Sequence, residues 1–128
     1  MREESKIFLE QSKKDIEAAK KNIKIKEYYV SAFLCQQSAE KALKALYIEK
    51  RAESPGQTHS LIYLAKETKV PKKYFQILSD LTPEFITTRY PDAAGETPYK
   101  LYHKDKVEKY INELEELLKW IENQVKKQ

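Results

Sequence analysis

Gln36, Gln37, Glu40, Lys41 and Lys44 recur at a spacing that gathers them on one arc of a helix. Two amides, a carboxylate and two ammonium groups on one arc could line a cleft, because such groups are costly to bury unpaired. Tyr29, Phe33 and Tyr47 stand at the two ends of the arc along the helix axis. Glu40 and Lys44, four apart in the favourable order, could instead pair with each other. The arc would then be a solvent strip or a polar seam between helices. Arg89 is a further cation, and His59 and His103 are the two histidines.

Other chemistries lack their residues. One cysteine, Cys35, and two scattered histidines give no ligand spacing for a metal, so the metal expectation is none. Gly56 and Gly95 are the only glycines, and neither sits in a phosphate-loop context, so no cofactor is expected and side chains such as Lys41, Lys44 and Arg89 must hold any phosphate. A single cysteine excludes an internal disulfide. No stretch is long and apolar enough for a membrane span, and the N-terminus does not resemble a signal peptide, so the expected location is cytoplasmic. The net charge is +4, with six lysines between Lys13 and Lys26. Five of them, Lys13, Lys14, Lys20, Lys21 and Lys24, lie opposite Phe8, Ser12, Asp15, Ile16, Ala19 and Ile23 on a helical wheel, which reads as a solvated face rather than a nucleic-acid site.

The elements that must position these groups are helical. Two glycines are too few for the turns of a β-rich fold. The periodicity predicts long helices over about 3–25, 28–50 and 105–126, the last opened by Asp105 and Glu108 as a capping box. In the second helix Ala32, Cys35, Ala39, Ala42, Leu43 and Leu46 form a broad apolar side rich in small residues, which allows close helix approach and marks the bundle centre. Asp15 falls on the apolar face of the first helix, where an acid needs a buried partner, and Lys44 and Arg89 are the candidates. Short helices are expected over 59–68 and from Pro71 to Asp80, and another after a Thr82 cap with Pro83 at its first position. Residues 89–103 read as an irregular loop. The expected fold is all-α: an antiparallel up-and-down helical bundle of three long helices plus one or two short ones, with residues 1–128 as one domain.

The segment Gln36-Gln37-Ser38-Ala39-Glu40-Lys41-Ala42-Leu43-Lys44-Ala45-Leu46 resembles the core motif of the HEPN domain. Thr58-His59-Ser60-Leu61, Arg89-Tyr90-Pro91-Asp92 and Asp15-Ile16 extend the likeness in order across nearly the whole chain. The resemblance implies a helical bundle that forms homodimers, binds nucleotide or RNA, and partners a minimal nucleotidyltransferase in a pair of toxin–antitoxin type. It implies Gln37, Glu40, Lys41, Lys44, His59 and Arg89 as ligand-binding residues, with Asp15 and Gln36 supporting. In some such pairs the transferase places AMP on a tyrosine of the HEPN partner, which makes Tyr90, Tyr99 and Tyr102 candidate acceptors. The chain departs from ribonuclease members, in which an Arg is followed after four to six residues by a His. RNA cleavage of that kind needs a base for the 2′-hydroxyl and a cation for the phosphate. Arg89 can be that cation, but local sequence places no base beside it, so a histidine would have to arrive through folding or from a second protomer. Three readings result: a binding module, a metal-independent ribonuclease using Arg89 with His59 or His103, and a structural helical adaptor. The missing motif weighs against an enzyme.

Overall fold

The computed structural model describes residues 1–127. Helix α1 spans Glu3–Lys24, with Glu3 and Glu4 in its first turn and Lys21 and Lys24 in its last, each sign matching the helix dipole. It ends where Lys26 takes a left-handed conformation (φ 63°) and Glu27 N–H closes onto the Asn22 carbonyl at 2.9 Å. Helix α2 spans Tyr28–Arg51 and returns antiparallel to α1. The register is fixed by hydroxyls. Ser12 Oγ donates to the Ser38 carbonyl at 2.7 Å while Ser38 Oγ donates to the Ser12 carbonyl at 2.8 Å, and Ser31 Oγ donates to the Ala19 carbonyl at 2.7 Å. Only small side chains permit such backbone approach.

The small-residue side of α2 is the centre of the molecule. Ala32, Cys35, Ala39, Ala42, Leu43 and Leu46 have no exposed surface. Burial raises the Cys35 thiol pKa far above its ordinary value, so this cysteine is a packing group. Helix α7, Lys104–Lys127, packs on α2 and α1 through Val107, Tyr110, Ile111, Leu114, Leu117, Ile121 and Val125. Its entry is set by His103, whose Nδ1 accepts from Lys106 N–H at 3.4 Å, rather than by Asp105. The lysine face of α1 lies against carboxylates: Lys13 pairs with Glu122, Lys20 with Glu115 at 2.6 Å, and Lys14 and Lys21 with Glu17.

The middle of the chain is more finely divided than periodicity suggests. Helix α3 covers Leu61–Glu67 and begins later than expected, because Ser60 caps it by accepting from Tyr63 N–H at 3.2 Å. A 3-10 turn at Lys72–Tyr74 leads into α4, Phe75–Leu81. Thr82 is not a cap. Its hydroxyl donates back to the Leu78 carbonyl at 2.8 Å, its backbone stays helical, and α5 starts at Glu84 and runs to Thr87. The expected loop after Arg89 holds structure: α6 at Pro91–Ala94, with Pro91 at its first position, and a 3-10 turn at Pro98–Leu101.

The Ser12–Ser38 crossing makes a direct prediction. Ser38→Leu forces a larger side chain into a contact fixed by two carbonyl bonds, and should destabilise the fold by about 2–3 kcal/mol in urea titration followed by circular dichroism. Unchanged stability would mean the α1–α2 approach is not this close.

Candidate functional site

Glu40 is 5% exposed in the middle of α2 and collects three donors. Gln36 Nε2 reaches its Oε1 at 3.1 Å, Lys44 Nζ reaches Oε2 at 3.1 Å, and His59 Nδ1 lies 2.9 Å from Oε1. Gln37 extends the chain by donating Nε2 to Gln36 Oε1 at 2.7 Å. A carboxylate only accepts, so His59 carries its hydrogen on Nδ1 and presents Nε2 outward. The imidazole is held from the loop side as well. Thr58 Oγ1 accepts from Ser60 N–H at 3.1 Å, which fixes the turn that delivers His59.

The imidazole stacks on Phe85 with centroids 3.9 Å apart and planes at 19°. The Arg89 guanidinium lies over the same ring at 4.1 Å, and over Phe33 and Tyr90 at 5.5 and 5.2 Å. The sum of the two Phe85 distances caps the separation of imidazole and guanidinium. Arg89 Nε donates to the Phe85 carbonyl at 2.7 Å, one helical turn back, so the plane of the guanidinium is set and its terminal nitrogens remain for a ligand. Arg89 is exposed. Phe85 thus joins Arg89 to His59, and Glu40 joins His59 to Lys44.

The arc does not stay together, however. Lys41 turns to α1, where its Nζ meets Asp15 Oδ2 at 2.6 Å, and Gln11 Nε2 donates to Asp15 Oδ1 at 2.8 Å. Asp15 was expected to find Lys44 or Arg89. Lys41 reaches it instead, because side chains on both helices lean toward their own N-termini and so converge across the antiparallel pair. Gln36, Glu40 and Lys44 are buried, so the arc is neither a solvent strip nor an open cleft. A phosphate held by Lys41 or Lys44 would first have to break an ion pair. His103 is exposed at the start of α7.

The three tyrosines after Arg89 separate. Tyr90 and Tyr99 are 48% and 57% exposed. Tyr102 is buried, and its hydroxyl donates to Glu84 Oε1 at 2.8 Å while Tyr110 donates to Oε2 at 3.2 Å. Burial and the Glu84 charge push both phenols well above the ordinary tyrosine range. Glu84 was not singled out from sequence. It is the buried anchor of α5, which carries Phe85 and is followed by Arg89. Phe85 was missed too, since an aromatic there reads as core; the available signal is its place four residues before Arg89.

Burial holds the Glu84 carboxyl above the usual carboxylate range, against the lowering pull of Tyr102 and Lys106. The native state therefore keeps this proton in a window where the unfolded chain has released it. Its contribution to stability falls as pH rises from the unfolded glutamate value, about 4.3, toward the raised native one. Glu84→Gln should flatten that part of the Tm-against-pH curve in thermal melts. An unchanged slope would show that Glu84 is not its source.

The family model for the HEPN domain matches residues 5–124. The chain belongs to the HEPN domain family. A Methanocaldococcus jannaschii relative with the name "Putative toxin MJ1304" is 28% identical over 137 aligned positions, covering 95% of this chain and 88% of that protein. The crystal structure of TT1696 from Thermus thermophilus superposes with a TM-score of 0.86 at 26% identity, over 96% of this chain and 99% of that one. ST0689, described as an archaeal HEPN homologue, gives 0.82 at 28% identity over 97% and 99%. The all-helical fold is thus common to this HEPN domain and its solved relatives. Among the described residues, no helix is long and apolar enough to cross a membrane.

Proposed function

We propose that this HEPN protein is a toxin-like module that holds a nucleotide or RNA phosphate at Arg89, acting as a homodimer beside a minimal nucleotidyltransferase. The carrying observation is the Arg89 guanidinium held 4.1 Å over Phe85 on an exposed residue, with the imidazole of His59 stacked on the same ring and Glu40 bonded to it. A fixed, planar cation in an aromatic setting suits phosphate next to a base. The name of the Methanocaldococcus jannaschii relative supports the toxin-like part. The transferase and the dimer rest on the family resemblance. If the transferase modifies this chain, Tyr90 and Tyr99 offer accessible hydroxyls, whereas that of Tyr102 is committed to Glu84. Purification of the tagged protein from its native host, with intact-mass analysis, tests the pair. A co-purifying nucleotidyltransferase, or a mass gain of one AMP lost in Tyr90→Phe or Tyr99→Phe, supports it. An unmodified chain with no such partner under any growth condition removes it.

A second reading is favoured by the Glu40–His59 bond. A carboxylate that fixes the imidazole tautomer leaves Nε2 as a base. His59 Nε2 would take the proton of a 2′-hydroxyl, whose oxygen attacks the adjacent phosphorus and forms a cyclic phosphate. The 5′-oxygen leaves with a proton returned by the imidazolium, and Arg89 holds the non-bridging oxygens. This makes the chain a ribonuclease that needs no metal.

A further inference from the structure

Beside Arg89 lies a cavity of about 380 Å³ that neither the Glu40 network nor the His59 stack occupies. Its walls include Tyr29 from the first turn of α2, Pro91 from α6, and Pro98 and Tyr99 from the 3-10 turn, with Glu27 at its edge. The volume falls within the range of small-molecule pockets, roughly 300–1,000 Å³. Two aromatic rings and two prolines give it flat apolar walls, and Arg89 supplies a cation on one side. Glu27 is the residue before α2, yet its side chain makes no capping bond, and among the described residues no donor is recorded on its carboxylate. A carboxylate free at the edge of an aromatic cavity accepts N–H donors and repels carbonyl oxygens.

Resting on the phosphate-holding role given to Arg89, we infer that this cavity is a nucleobase subsite. It takes the unstacked base of a single-stranded nucleotide whose phosphate lies on Arg89, with Tyr29 and Tyr99 as the stacking surface. Glu27 selects a base that presents an amino or imino edge. Guanine offers two adjacent donors on its Watson–Crick edge, while uracil offers one donor between two carbonyls. The subsite therefore prefers guanine to uracil. The flat rings grip any base, and the carboxylate discriminates.

The test uses short fluorescent 2′-O-methyl oligonucleotides, which resist cleavage, in anisotropy titrations with the full chain. A guanine-containing strand should bind about tenfold more tightly than the same backbone with an abasic site, the effect of one stacked base. Tyr99→Ala should erase that difference while leaving abasic binding intact, as expected for an exposed side chain. Glu27→Gln replaces an acceptor-only group by one that also donates, and should bring guanine and uracil strands to equal affinity. Competition by 5′-GMP as strong as that of the strand would assign the subsite to free nucleotides, and weak competition to strands; either result retains the base. Equal binding of base-bearing and abasic strands, still lost in Arg89→Ala, overturns the subsite and leaves the phosphate reading standing. Binding insensitive to Arg89→Ala overturns both.

Discussion

Arg89→Ala is expected to weaken binding of a short single-stranded RNA by about 30-fold at low salt, the scale of one lost charge-assisted phosphate contact. The slope of log affinity against log salt should become shallower by about 0.7, one phosphate's share for a single strand. Stability should change by no more than about 1 kcal/mol, because the side chain is exposed and gives up mainly its stacking on Phe85. Arg89→Lys should recover little. A lysine keeps the charge but loses the plane that lies on the ring and the Nε bond to the Phe85 carbonyl. If the chain cleaves RNA, cleavage in the presence of a chelator should disappear in both Arg89→Ala and His59→Ala. Cleavage that survives Arg89→Ala would come from a contaminant. Affinity and salt slope both unchanged would remove Arg89 from the site.

Helices α1 and α7 are legible because each buries one stripe, and a stripe repeats in sequence; α2 is buried on most sides and is legible from its scarcity of polar positions. The small-residue side of α2 announced the bundle centre. Short elements are governed by single hydrogen bonds that periodicity does not carry. Ser60 decides where α3 starts, and Thr82 turns back to Leu78 instead of capping α5. The candidate site is visible in the sequence only as residue types on α2 and at His59 and Arg89. Which of them meet is not, because that depends on how side chains lean between helices. Lys41 and Lys44 are neighbours on one arc, yet one reaches across to Asp15 and the other back to Glu40. The ring joining His59 to Arg89 was hidden by its ordinariness, since Phe85 looks like any core aromatic.

Glu40→Ala should have the largest effect on the fold and the site together. It leaves Lys44, 8% exposed, as a buried cation without its carboxylate, and it takes the acceptor from Gln36 and His59. Breaking one side of such a buried pair costs about 3–5 kcal/mol, most of it the desolvation of the charge left behind. Lys44→Met in the same chain removes that charge and refills its volume with apolar atoms, so the double variant should regain most of the lost stability. His59 gains nothing from that repair, because its imidazole still lacks the group that fixes Nδ1–H. A role for Glu40 in orienting His59 therefore predicts a split: urea midpoints of the double variant return toward the parent, while any His59-dependent cleavage stays low. If stability and activity recover together, Glu40 serves only to neutralise Lys44. If Glu40→Ala is as stable as the parent, the buried pair itself is in question, and with it the support behind His59.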